Sequence, residues 1–270
     1  MSDALTLIIP VANGVDNLER LLTVWSDRLL AEKDRDSELV VVDDGTTDGT
    51  AATLAKLNLP ILRVLTHSQP RGFGACLRTA IEQTSRPIVA YIGTDYPYDP
   101  ADLPKLLSRL GKKVPIYDRE LTVEAVSGCR TGKTTPLFWR LVGRLYRTSS
   151  RIALGVSAEK SPVWLGFPEH ARSWFLWLAM GVPLHDTHSC FKVFRRSLFD
   201  RFPIQSDGDF VHAEIFAKLT FLSVLIDEHE LTPKPEPIPR KAWRDFWTVF
   251  TDAKFHSPLP DLTKPALSGA

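Results

Sequence analysis

Two short apolar runs open the chain: Leu5 to Ile9, stopped by Pro10, and Glu38 to Val42, stopped by Asp43-Asp44-Gly45. Runs of that length and texture suit strands buried on both faces of a parallel sheet. Between them, residues 16–32 place Leu18, Leu21, Leu22, Trp25 and Leu29 at helical spacing, with Asp16 positioned to cap the first turn. The alternation repeats, predicting a helix over 50–57, a strand over 61–65, a helix over 74–83 and a strand over 88–92. Strands alternating with helices imply right-handed crossovers, and such a sheet binds ligands at the carboxyl ends of its strands. The chemistry is therefore expected immediately after Ile9, Val42 and Ile92.

Past residue 100 the rhythm loosens. A helix over 102–110 and a strand over 123–127 continue it, but residues 134–181 are rich in Trp, Phe, Arg and Leu. Phe191 to Phe194, followed by Leu198, begins a second strand and helix region. The tail from Thr232 carries Pro233, Pro235, Pro237 and Pro239, then an amphipathic stretch with Trp243, Phe246, Trp247 and Phe250.

Composition narrows the class. Lys and Arg number 33 against 32 Asp and Glu, so no broad positive field draws in nucleic acid, and any bound anion must be held locally. Cys76, Cys129 and Cys190 are widely spaced and odd in number, and they are expected as buried free thiols. No window approaches the roughly 20 apolar residues of a spanning helix. The first residues show no basic stretch followed by an apolar one. The expected location is cytoplasmic, with any membrane contact peripheral at the inner face.

Two adjacent carboxylates, Asp43 and Asp44, directly follow a buried strand, with Gly45 permitting a turn and Asp48 and Thr50 at a helix start. Such acids can accept hydrogen bonds from a base and a ribose at the sheet edge. A capped turn would explain Gly45 and Asp48 equally, so these residues alone leave both readings open.

The ordered series is more specific. A strand ending at Pro10 followed by Asn13 and Asn17-Leu18, then VVVDDGTTDGT, then PRGFGACLRTAI from Pro70, resembles the family 2 glycosyltransferases. Within them it is similar to dolichyl-phosphate mannose synthase and related polyprenyl-phosphate glycosyltransferases. The resemblance implies an α/β GT-A fold: a mostly parallel Rossmann-like sheet flanked by helices, with a mixed acceptor-side half. It implies a single catalytic domain over 1–240, divided into a nucleotide-sugar-binding half (1–115) and an acceptor half (116–240), followed by an amphipathic tail (241–270). The implied activity is inverting, metal-assisted transfer of a hexose from a UDP- or GDP-sugar to a polyprenyl or dolichyl phosphate. Donor binding falls to Pro10, Asn13, Asp43, Asp44, Arg71, Gly72, Thr94 and Asp95, with Asp95 as ligand of Mg²⁺ or Mn²⁺. The family's Arg, its D-x-x-S-G-F block and its Glu fall on Arg130, on Asp186 to Phe191 and on Glu214, giving Arg130, Asp186 and Glu214 as catalytic candidates. Arg130 and Arg240 are expected to hold the acceptor phosphate.

Two positions depart from the pattern. Gly93-Thr94-Asp95 stands where the family has Asp-x-Asp, so one expected acid is missing, with Asp99 as a substitute or the site degenerate. Cys190 stands in place of a glycine, which bears on how closely the backbone there can approach a ligand. Asp186 is expected as a general base, or as an orienting group if the acceptor is already an anionic phosphate. Glu214 is placed near the sugar or acceptor, against the alternative of a helix-surface acid.

Arg130, Lys133, Arg140, Arg144, Arg147 and Arg151 recur at intervals that share a helix face, suiting either a phosphate-bearing acceptor or plain solvation. The aromatics of residues 163–167 and 174–178 suit either a membrane interface or the core between the halves. SGCRTGKTT from Ser127 imitates a phosphate-binding P-loop, but Gly128 lies one residue too close to Gly132. Two further functions compete: a non-catalytic nucleotide-sugar-binding regulatory protein, favoured by Gly93, and a nucleotidyltransferase, disfavoured because residues 11–14 carry no cation.

Overall fold

A computed structural model describes residues 3–13, 18–94, 96–116, 119–130, 186 and 189–232. The expectations for Asp16, Asp95, the Arg-rich and aromatic stretch of 134–181, Arg240 and the tail lie outside the described residues.

The described elements are β1 (Leu5–Val11), α1 (Leu18–Leu30), β2 (Ser37–Asp43), α2 (Thr50–Lys56), β3 (Leu62–Thr66), α3 (Phe73–Glu82), β4 (Ile88–Tyr91) and α4 (Leu103–Leu107). They continue with β5 (Lys113–Ile116), β6 (Arg119–Cys129), β7 (Lys192–Arg195), α5 (Val211–Phe221) and β8 (Leu225–Glu230). Eight strands form one sheet in the order β3-β2-β1-β4-β7-β6-β5, with β8 alongside β6. β1 pairs in parallel with β2 and β4, and β2 with β3. The direction changes at β7, which is antiparallel to both β4 and β6, so the second half is mixed.

Every residue of β1 is buried, because helices cover both faces and no side of the strand can be polar. Leu7 and Ile9 face Leu22, Trp25 and Leu29 of α1, together with α4. Ile8 faces Leu77 and Ile81 of α3 and Ile215 and Phe216 of α5. Each such fully buried side chain contributes about 1.5–3 kcal/mol.

Elements resting on apolar period lie within a residue or two of expectation. α4 and β6 are the exceptions: α4 starts after a 3-10 turn (Pro100–Asp102) and ends at Leu107, three residues before the expected end, as the chain turns through Gly111 with φ 82°, and β6 starts at Arg119, four residues before the expected strand. β5 and β8 were not expected. β5 contains Pro115 and lies at a sheet edge, and β8 reads LIDEHE without an apolar run. The three cysteines are free and buried. Among the described residues no helix is long and apolar enough to cross a membrane.

Candidate functional site

The carboxyl ends of β1, β2 and β4 share one sheet edge. Val11 lies opposite Asp43, the Asp44 amide donates to the Val11 carbonyl (2.9 Å), and the Ile92 amide donates to that of Ile8 (3.1 Å). Pro10 is the penultimate, buried residue of β1. Asp43 is 2% exposed and accepts the Thr46 amide on Oδ1 (2.9 Å), closing a turn through Gly45. Gly45 has φ 66°, and a Cβ there would fall 2.5 Å from the Gln69 carbonyl carbon, so both conformation and space demand glycine.

Asp44 ties β2 to the start of α3. Its Oδ1 accepts the Arg71 amide (2.9 Å) and meets His67 Nδ1 (2.8 Å), while Oδ2 accepts the Gly72 amide (2.8 Å). His67 Nε2 lies 3.0 Å from Thr79 Oγ1, which fixes the ring. Burial acts to raise the Asp44 pKa, but the hydrogen bonds from His67, Arg71 and Gly72 outweigh it and hold the carboxyl below its ordinary range. Across the same edge, Asn13 Oδ1 accepts the Thr47 amide (2.8 Å) and Nδ2 donates to Thr47 Oγ1 (3.2 Å), linking the loops after β1 and β2.

Asp44, His67 and Cys76 each present one ligand atom within 4.8 Å of the others. The set suits a borderline metal more than Mg²⁺ or Mn²⁺, which prefer oxygen. Protons already serve it, since Asp44 accepts three hydrogen bonds and burial, with the Asp44 charge, pushes the Cys76 thiol strongly up. At the end of β4, Gly93-Thr94 brings no carboxylate of its own. Gly93 has no side chain, Thr94 is half-buried, and Asp99 Oδ1 accepts the Ala101 amide (3.0 Å).

The segment around Cys190 lies beside that end of β4. The Gly93 amide donates to the Cys190 carbonyl (3.1 Å), and the Cys190 amide donates to Tyr98 Oη (2.7 Å). The backbone therefore approaches Gly93 closely despite the cysteine, whose Sγ turns to His212 Nε2 (3.3 Å). Next to it, Arg130 grips Asp186: Nε donates to Oδ2 (2.8 Å), Nη2 to Oδ1 (2.9 Å) and the Arg130 amide to Oδ2 (3.1 Å). The Ser189 amide adds a fourth bond to Oδ1 (3.0 Å), and the guanidinium carbon lies 5.8 Å from the Tyr96 ring centre. Asp186 is 2% exposed. Burial opposes its charge, yet the attraction and hydrogen bonds of Arg130 keep its pKa low.

Glu214 is neither on a helix surface nor at the sheet edge. It is fully buried on α5, accepts the amides of Gln205 (2.7 Å) and Ser206 (2.8 Å), and pairs with Lys218. His67, His212, Lys192 and Lys218 escaped the sequence reading. Lys218 carried a signal, lying four residues after Glu214 on one helix, as Lys192 did by interrupting the apolar FKVF strand.

A family model described as Glycosyl transferase family 2 matches residues 6–202. An uncharacterized glycosyltransferase of Mycobacterium tuberculosis (strain ATCC 25618 / H37Rv) is 31% identical over 111 residues, 41% of this chain and 45% of the relative. Dodecaprenyl-phosphate galacturonate synthase of Rhizobium johnstonii is 23% identical over 206 residues, 75% of this chain and 51% of that protein. The chain thus spans about half the length of these curated relatives. Among solved structures, mannosyl-3-phosphoglycerate synthase from Rubrobacter xylanophilus superposes with a TM-score of 0.60 at 16% identity, covering 93% of this chain and 72% of that one. Glucosyl-3-phosphoglycerate synthase from Mycobacterium tuberculosis, in complex with Mn²⁺, UDP and phosphoglyceric acid, gives 0.55 at 18% identity, covering 95% and 80%. These likenesses establish the GT-A fold.

Proposed function

Because the chain belongs to glycosyl transferase family 2, we propose that it transfers a hexose, with inversion, from a UDP- or GDP-sugar to a polyprenyl phosphate or a related phosphate-bearing acceptor. The observation that carries this reading is the acidic pair at the end of β2, with Asp44 locked to the start of α3 and Asp43 beside the end of β1. In it, Asp43 accepts from the base or ribose, Asp44 and Gly72 shape the loop, and Pro10, Asn13, Arg71 and Thr94 line the donor. Asp95 is the proposed carboxylate ligand of Mg²⁺ or Mn²⁺. The relative named as a dodecaprenyl-phosphate enzyme supports a lipid-phosphate acceptor. Arg130 and Arg240 hold that phosphate.

An acceptor phosphate oxygen attacks the anomeric carbon as the bond to the leaving diphosphate breaks, so catalysis is mainly the positioning of two anions. The attacking group is already anionic and needs no base. Of the two roles open to Asp186, the orienting one fits its four hydrogen bonds and low pKa: it aims Arg130.

The test measures transfer from UDP- and GDP-hexoses to a short polyprenyl phosphate, with Mn²⁺ and with EDTA. Turnover that EDTA suppresses and Mn²⁺ restores is expected. Donor binding without turnover under every metal condition would instead favour a regulatory nucleotide-sugar binder, the reading to which Gly93 points. Absence of binding would overturn both.

A further inference from the structure

We infer that Glu214 and Lys218 are positioning residues for the donor side, acting through the 203–208 segment on the Asp44 clamp; this rests on the donor reading above. The connection is continuous. Glu214 Oε1 and Oε2 accept the Gln205 and Ser206 amides, and Lys218 Nζ donates to the Pro203 carbonyl (2.6 Å) and Gln205 Oε1 (3.2 Å). Both side chains are fully buried and paired with each other, so the segment is held by a charged pair that water does not loosen.

The far side of the segment presses on the start of α3. The Asp207 carbonyl accepts the Ala75 amide (3.1 Å), one of the donors that a helix start leaves without an internal partner. Arg78 reaches across to the Ile204 carbonyl (3.0 Å) and to Asp207. A Cβ on Gly74 would lie 2.1 Å from the Ser206 carbonyl oxygen, and one on Gly72 would lie 2.6 Å from that of Asp207. Gly72, with φ 100°, is the same residue whose amide donates to Asp44. Any shift of 205–208 therefore displaces the Arg71 and Gly72 amides that aim Asp44. The acid on the acceptor-half helix serves the nucleotide end without touching the sugar.

The test uses the full chain and compares wild type with E214Q and with the E214Q/K218M double variant, which leaves no unpaired buried ammonium if E214Q alone fails to fold. UDP and GDP are the probes in calorimetric titrations, alongside amide hydrogen exchange over residues 67–76 and steady-state transfer. The expected result is nucleotide affinity weakened about ten-fold, faster exchange of the Arg71 and Gly72 amides, and an unchanged KM for the acceptor. A folded double variant that binds nucleotide as wild type does, or whose acceptor KM alone rises, would overturn the inference. If wild type binds neither UDP nor GDP, the donor reading itself fails and the inference with it.

Discussion

Arg130 and Asp186 stand 56 residues apart in sequence and make one planar, two-bonded ion pair. Removing one partner of a buried pair leaves an uncompensated charge, so D186N is expected to cost about 3–5 kcal/mol, read as a lowered denaturant midpoint. R130K keeps the charge but not the fork, and it should lose most transfer activity while retaining more stability than D186N. The acid side follows from the lowered pKa values of Asp44, Asp186 and Glu214, whose folded-state values lie below their unfolded ones. Their stabilisation is present above the unfolded carboxylate range, near 4, and is lost as pH falls through the folded values. These three carboxylates should therefore add no pH dependence above about pH 5, and stability should fall steeply below about pH 4. Sequence singled out Arg130 and Asp186 separately, through family resemblance; their pairing comes from the end of β6 meeting the approach to β7, which no local pattern encodes.

β7 shows where apolar pattern and chemistry part. Lys192 is fully buried, 3.4 Å from Ser127 Oγ and 4.6 Å from the Phe216 ring centre, and burial pulls its pKa down to about 8 against the attraction of Asp186. The folded value lies below the unfolded one near 10.5, so below pH 8 the protonated amine carries its whole burial cost, and that cost shrinks as pH rises toward 10. The stability of wild type relative to K192M should thus improve between pH 8 and 10; a difference independent of pH would refute this. The start of α3 supplies a second case. G74A forces a Cβ against the Ser206 carbonyl and is expected to cost roughly 1–3 kcal/mol by overpacking, with loosened amides at Arg71 and Gly72. The helical and apolar periods marked α1, α3 and the first four strands well, because burial on a two-sided sheet writes itself into composition. β8, half-buried and acidic, left no such mark.

Across the molecule, four parallel strands set the loops after β1, β2 and β4 on one edge, and the antiparallel β7 brings Cys190 and Asp186 to that edge from the second half. The alternation of strands and helices makes this edge legible in the sequence. The reversal at β7 was not legible from period, since apolar spacing marks a strand without fixing its direction. Besides the antiparallel pairing of β4 with β7, the Gly93 amide bonds to the Cys190 carbonyl and the Ala75 amide at the start of α3 bonds to the Asp207 carbonyl. The most direct measurement is a calorimetric titration of UDP and GDP into wild type and D43N at pH 7.5, with thermal unfolding of both recorded in parallel. Loss of a charge-assisted hydrogen bond of about 1.5–3 kcal/mol should weaken nucleotide binding by roughly ten-fold or more while the variant stays folded. Equal affinity in the two proteins, or no nucleotide binding by wild type, would contradict the placement of the donor at the end of β2.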